Sequence, residues 1–357
     1  MKELSNPFKA EFGAVPKCYV PRSDLENSIY NSFMTSSTGT MQLMTGIRGS
    51  GKTVFITRIS DRIAKEKDWI VIKVNPEAML YENVIYGLTH ALHSSGLSAS
   101  LNINLSPLSV SFSKDNFTYS SEEGKLENLL EQAGKRKKKV LICMDEITNN
   151  KETRVFLHSF QIYLRDSLPV YILASGLPQN VYSVINSKTL TFLRRAQKCN
   201  LSPLELSTVR QEYSRVFSLP DKTVMGMSKL TNGYSYAFQL LGDLVWKNNM
   251  EYTEDLMNEY DSALAEYSYD KIYSEMSNKD VFFMEVITKN HFSTVRELVD
   301  ELGITLQEFS VYRDRLIKSG ILYSPKRGYF EIALPRFGEY LTRKHDMQMM
   351  NDVFIAG

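Results

Sequence analysis

Gly46-Ile47-Arg48-Gly49-Ser50-Gly51-Lys52-Thr53 is the stretch that decides the fold. It fits G-x-x-x-x-G-K-[ST], and its surroundings suit that motif. The apolar run Met41-Gln42-Leu43-Met44-Thr45 precedes it, and a helical pattern (Val54, Ile56, Ile59, Ile63) follows. Glycines let backbone N–H groups turn inward around phosphate oxygens, at the positive end of the next helix's dipole. The motif assigns Lys52 to the β- and γ-phosphates and the Thr53 hydroxyl to Mg²⁺. Gly46, Arg48, Gly49, Ser50, Gly51 and Val54 complete the expected nucleotide contacts, so ATP and Mg²⁺ are the expected cofactors.

Outward from this loop the chain alternates buried strands with helices. Residues 140–144 and 170–174 are continuous apolar runs, 69–74 is one broken only by Lys73, and residues 79–94, 122–134 and 151–165 have helical periodicity. That alternation predicts an α/β domain with a parallel sheet. Val140-Leu-Ile-Cys-Met144 ends in Asp145-Glu146. There Asp145 is expected to hold Mg²⁺ through water and Glu146 to orient the attacking water as a base. The next strand ends in Ser175, either a sensor of the γ-phosphate or an ordinary strand-end cap. Arg194 and Arg195 follow, either as arginine fingers acting on a neighbouring subunit or as surface ion-pairing residues.

Composition bounds what else the chain does. It has 357 residues, a length that suggests two or three domains, and 43% of them are hydrophobic, enough for a sizeable core. The 42 Lys and Arg against 41 Asp and Glu give a net charge of +1, which excludes a globally basic nucleic-acid binder and leaves only a local patch. No apolar run approaches the ~20 residues of a membrane span, and the first residues lack a signal-peptide pattern. Cys18, Cys143 and Cys199 form no C-x-x-C pair and suit packing positions in a reducing cytoplasm. The five histidines show no metal-ligand spacing.

Three segments break the α/β rhythm. The N-terminal arm, residues 6–22, carries Pro7, Gly13, Pro16 and Pro21 and reads as extended. Residues 97–117 alternate apolar and polar around Ser106-Pro107, predicting an inserted β-hairpin; its only basic residue is Lys114, so a decorative hairpin or partner surface suits it better than an arm touching DNA or a membrane. Lys135-Arg-Lys-Lys-Lys139 is a basic run before a core strand, either a solvated loop or a contact for DNA or an acidic partner.

These pieces together resemble the AAA+ and STAND branch of P-loop ATPases, in particular a bacterial and archaeal group similar to origin-recognition-type ATPases. Phe12-Gly-Ala-Val-Pro16 and Val20-Pro-Arg22-Ser-Asp-Leu25 resemble that group's adenine-side segment, which implies nucleotide contacts for Val20 and Arg22. Ser175-Gly-Leu-Pro178, Thr191-Phe-Leu-Arg-Arg195 and Asn200-Leu-Ser-Pro-Leu204 resemble its sensor and lid-entry motifs. Gly233-Tyr-Ser-Tyr-Ala-Phe-Gln239 stands where the lid helix begins. The family places an arginine at the position of Tyr236, or a proline at that of Ser235. Their absence here implies that Tyr234 or Tyr236 packs near the nucleotide instead.

The C-terminal part reads as three helices and a hairpin around the basic turn Ser324-Pro-Lys-Arg-Gly328, a winged helix-turn-helix. Between residues 305 and 328 five bases face two acids, and Thr305, Gln307, Ser310, Arg313, Lys326 and Arg327 are the candidate DNA contacts. The expected organisation is a P-loop NTPase domain with an AAA+-like parallel sheet (residues 1–200), a helical lid and acidic connector (201–278), a winged helix (279–345) and a tail (346–357). Residues 251–278 hold eight acids against one lysine, and are expected either to shield the Arg313, Lys326 and Arg327 surface or to form a solvated connector. The leading function is a cytoplasmic Mg²⁺-dependent ATPase switch that binds DNA. The alternative is a STAND-type signalling scaffold whose winged helix packs internally and serves protein contact or oligomerisation. DNA, further copies of the chain and a protein are the partners these readings allow; a membrane is not.

Overall fold

The central sheet strands are apolar at nearly every position because both of their faces are covered. The computed structural model describes residues 5–10, 16–93, 100–102 and 121–356, with side chains omitted for 100–102 and 348–356. Strands β1 (Met41–Thr45), β2 (Trp69–Val74), β3 (Ser100–Asn102), β4 (Lys139–Met144), β5 (Val170–Gly176) and β6 (Gln197–Asn200) form one parallel sheet in the order β3-β2-β4-β5-β1-β6. Val71, Leu141, Cys143, Tyr171 and Leu173 point to one face, against α1 (Ser23–Thr35) and α2 (Lys52–Ile63). Ile70, Ile72, Val140, Ile142 and Ile172 point to the other. That face is covered by α3 (Leu80–His93), α4 (Glu122–Lys135), α5 (Lys151–Arg165) and α6 (Pro178–Ile185).

Chain contacts divide the molecule into two compact units. Residues 22–46 and 52–201 form the sheet unit; residues 1–21, 47–51 and 202–357 form the other. The N-terminal arm therefore groups with the C-terminal half, not with the sheet. The reason is Phe8, which is 2% exposed and packs its ring on Tyr213, Phe217 and Phe238. Residues 11–15 of the arm, and the predicted hairpin apart from residues 100–102, lie outside the described residues. Those three extend the parallel sheet at its edge.

The second unit begins with three lid helices: α7 (Leu206–Val216), α8 (Asp221–Leu230) and α9 (Ser235–Lys247). The acidic connector follows as α10 (Leu256–Leu264), one π turn (Ala265–Tyr269) and α11 (Asp270–Glu275). Three of its acids find partners other than the basic wing. Asp261 pairs with Arg336 and, at 2.8 Å, with Arg343, while Asp270 pairs with Lys344 at 2.7 Å. Glu275 pairs within the connector, with Lys271. The shielding expectation is thus corrected for these three residues: their partners are Arg336, Arg343 and Lys344, in or just before the last helix, and Lys271 of the connector.

Next come α12 (Asn278–Asn290), α13 (Val295–Leu302) and α14 (Leu306–Lys318), then β7 (Leu322–Tyr323) antiparallel to β8 (Glu331–Ile332). Ser277, Thr294 and Thr305 each start a helix with a capping box, which satisfies otherwise orphaned N–H groups. Three helices closed by a short hairpin follow the element order expected of a winged helix-turn-helix. The final helix, α15 (Phe337–Ala356), runs through the expected domain end at 345, because no Gly or Pro after Gly338 interrupts it.

Candidate functional site

The C-terminal ends of β1, β5 and β4 lie side by side, and the sheet register brings their chemistry together. Met44 pairs with Ser175 and Met144 with Ala174, so Ser175 stands beside Asp145. The Ser175 hydroxyl, fully buried, donates a hydrogen bond to Asp145 Oδ1. The same oxygen accepts the Glu146 N–H at 3.1 Å. Two donors thus fix one carboxylate oxygen and keep Asp145 in a single rotamer. Ser175 spends its proton on the acid. Glu146 itself has φ 58, in the left-handed region, and its side chain is exposed. A non-glycine residue held there marks a turn that the surroundings over-determine, a feature that clusters at active sites. Here the restraint is the Ile147 N–H, which donates to Ser175 O at 2.8 Å.

The phosphate loop follows β1 directly. Gly49 and Gly51 have φ +75 and +89, and a Cβ at Gly49 would overlap the Tyr234 hydroxyl. Lys52 opens α2, is 6% exposed, and donates from Nζ to Gly46 O at 3.0 Å, closing the loop across its base. Thr53 is exposed at the helix start and Val54 is half-buried. Within the C-terminal unit the loop residues 47–51 touch the lid and the winged helix. Tyr234 Oη donates to Arg48 O at 2.6 Å, and Ile47 packs onto Gly320, where any Cβ would collide with it. Tyr234 therefore does pack on the loop, as its place at the lid-helix start implied.

The donor set fits the Mg²⁺ expected with ATP. Among the described residues no cluster of three His, Cys, Asp or Glu could hold a metal alone. Mg²⁺ in nucleotide sites commonly takes one or two protein oxygens and the substrate's phosphates for the rest. An anchored carboxylate (Asp145) and a helix-start hydroxyl (Thr53) match that need.

The remaining expected residues are less converged. Val20 is 3% exposed within the lid core, and Arg22 precedes α1, with its carbonyl accepting the Glu26 N–H. Arg194 and Arg195 end a 3₁₀ turn (Thr191–Arg195), both exposed and without an ion pair among the described residues. In the winged helix the Thr305 hydroxyl is used in its capping box, and Ser310 Oγ donates to Gln307 O at 2.9 Å. Arg313 is half-buried beside Asp314 at 3.7 Å. Gln307, Lys326 and Arg327 are exposed, with the Lys326 ammonium 3.9 Å from the Tyr329 ring centroid. Alongside them α14 exposes Leu306 and Val311, at 62% and 63%. The basic run before β4 is largely tied down. Arg136 donates to Leu92 O, Lys138 to Lys67 O, and Lys139 lies over the Trp69 ring.

Strand order, phosphate loop and acid pair define the class: an α/β P-loop NTPase fold of the AAA+ type, with a helical lid and a C-terminal winged helix. Comparison with solved structures agrees. The Walker-type ATPase PABY2304 of Pyrococcus abyssi superposes with TM-score 0.63 at 16% identity, covering 91% of this chain and 96% of its own. The ORC2 protein of Aeropyrum pernix, in ADPNP–ADP complexes, gives 0.55 at 13% identity, covering 96% and 98%. A family model described as a domain of unknown function (DUF8462) matches residues 267–341. Curated protein sequences contain no match. No described helix is long and apolar enough to cross a membrane.

Proposed function

We propose that this chain is a cytoplasmic, Mg²⁺-dependent ATP-binding and ATP-hydrolysing switch whose winged helix binds DNA. The observation that carries the nucleotide half is the anchored Asp145 carboxylate beside the end of the strand that feeds the phosphate loop. The structures it is similar to support the same reading, one being a Walker-type ATPase and another a complex with adenine nucleotides. In this mechanism the loop N–H groups and Lys52 bind the phosphates, and Asp145 and Thr53 hold Mg²⁺. When bound, Mg²⁺ screens the negative charge that develops on the phosphates. Ser175 keeps Asp145 in place, and Glu146, on its left-handed turn, accepts a proton from the attacking water.

The DNA half rests on the exposed Gln307, Lys326 and Arg327. Phosphate contacts by such residues give salt-dependent binding. The test is a DNA titration at several salt concentrations, with and without ATP. Binding that weakens with salt and changes with ATP supports the switch. The exposed Leu306 and Val311 favour a second reading, a signalling scaffold that docks a protein on α14. Absence of DNA binding at low salt selects that reading.

Exposed arginines without ion pairs among the described residues suit action in trans, so Arg194 and Arg195 are proposed as fingers toward a further copy of the chain. ATP turnover per molecule is then expected to rise with protein concentration. Mixing Arg195→Ala with Glu146→Gln protein is expected to restore part of the activity that each lacks alone. Flat turnover in a protein that is monomeric by light scattering contradicts the assignment.

A further inference from the structure

Three consecutive carbonyls of the phosphate loop accept hydrogen bonds from three consecutive residues at the start of α9. Tyr234 Oη donates to Arg48 O at 2.6 Å, the Tyr236 N–H to Gly49 O at 3.0 Å, and Ser235 Oγ to Ser50 O at 3.0 Å. In a planar trans peptide the carbonyl and the next N–H point in opposite directions. Holding Arg48 O and Ser50 O toward α9 therefore turns the N–H groups of Gly49 and Gly51 to the opposite side of the loop. The peptide between them, held through Gly49 O, uses its Ser50 N–H to close a turn on Ile47 O at 3.2 Å.

Tyr234 is the side chain on which this arrangement depends most. It is 3% exposed, and its phenol has one proton. A carbonyl can only accept, so that proton goes to Arg48 O. Ser268 Oγ, 2.7 Å from Tyr234 Oη and 1% exposed, must then donate to the phenol oxygen. A chain of two hydrogen bonds in one direction, Ser268 to Tyr234 to Arg48, strengthens each member. Ser268 sits in the π turn between α10 and α11, a conformation that occurs mostly as single turns and frequently at functional sites. Burial also pushes the Tyr234 phenol pKa up, so it remains a neutral donor at physiological pH.

We propose that Tyr234 is a positioning residue for the phosphate loop: with Ser235 and the Tyr236 amide it fixes the loop carbonyls so that the Gly49 and Gly51 N–H groups are pre-aimed at the phosphates of a nucleoside triphosphate. The proposal rests on the nucleotide-binding reading given above. It adds a route by which the connector, through Ser268, biases nucleotide affinity.

The test compares full-length wild type with Tyr234→Phe, Ser235→Ala and the Tyr234→Phe/Ser268→Ala double variant. MgATP affinity is measured by calorimetry, and amide hydrogen exchange over residues 47–53 is followed without nucleotide. Loss of one net hydrogen bond predicts a Kd about three- to tenfold higher for Tyr234→Phe, with faster exchange at Ser50, whose N–H closes the loop turn on Ile47 O, and an unchanged circular dichroism spectrum. The double variant is expected within about twofold of Tyr234→Phe, because Ser268 acts through the phenol. If Tyr234→Phe does not fold, Ser235→Ala carries the test, with a higher Kd and faster exchange expected. Wild-type affinity and exchange in both single variants overturn the proposal while leaving the nucleotide reading intact. No MgATP binding by the wild type overturns both.

Discussion

Glu146→Gln is expected to lower ATP turnover about 10²- to 10⁴-fold, the range typical for loss of a positioned general base. MgATP affinity is expected to stay within about threefold of wild type. The two effects separate because of where Glu146 stands. Its side chain is exposed and makes no hydrogen bond to the Asp145 carboxylate; only its backbone N–H does. Gln keeps that N–H and tolerates the φ 58 backbone about as well as Glu, so the Asp145 anchor survives the substitution. Single-turnover rates beside calorimetric affinities check this. Turnover unchanged in Glu146→Gln removes the residue from its role. A matching loss of affinity would mean that the substitution has disturbed Asp145.

Asp261→Asn is expected to destabilise the C-terminal unit by about 3 kcal/mol, near the low end for breaking a buried ion pair. Asp261 is 8% exposed at its side chain and receives Arg336 and Arg343 together. Removing its charge leaves two guanidiniums beside a neutral amide, with only Glu339, 3.2 Å from Arg336, as a remaining counter-ion among the described residues. Arg343 is 42% exposed and can rehydrate, which limits the loss. Burial alone would raise the Asp261 carboxyl pKa, but hydrogen bonds from Arg336 and Arg343 outweigh it and hold the pKa below the usual carboxylate value. A carboxylate with a depressed folded-state pKa contributes its stability above the unfolded value of about 3.9, and loses it as pH falls through the folded one. Urea unfolding is therefore expected to show the full gap between wild type and Asp261→Asn at neutral pH, narrowing below about pH 4. A gap that widens in acid contradicts this account of the pair.

Much of the sheet unit was legible because its determinants are local. The helix read over residues 151–165 is α5 residue for residue, and α14 begins where Thr305 and Glu308 spell a capping box. The phosphate loop and the acid pair announce themselves by residue type at fixed spacing. Strand β6 did not. Gln197-Lys-Cys-Asn200 is largely exposed, so it lacks the apolar signal that marks the other core strands, and its pairing with β1 is carried by backbone groups and by polar side-chain bonds, Gln42 to Gln197 and Thr45 to Asn200. The loop clamp was invisible because carbonyls 48, 49 and 50 have no side-chain signature. Charge patterns misled most. The basic run at 135–139 reads as a solvated loop or a contact for DNA or an acidic partner, and the acids of the connector as a shield for the basic wing or a solvated helix. In the fold Arg136 and Lys138 bind backbone carbonyls, and Asp261 and Asp270 meet the start of α15. Sequence shows charge but not the direction in which a side chain finds its partner.

The central claim, that residues 46–53 bind the phosphates of ATP, is tested most directly by titrating MgATP into the wild-type chain and into Lys52→Ala, with heat as the readout. Lys52 is buried at the loop base, bonded to Gly46 O, and supplies the motif's positive side chain. Its loss is expected to weaken binding at least 100-fold, which is about 2.7 kcal/mol, within the range for removing one member of a buried, charge-assisted contact. Saturable binding by the wild type that is lost in Lys52→Ala, with both proteins equally folded by circular dichroism, is the result predicted. Equal affinity in the two proteins, or no binding by either, would contradict the account.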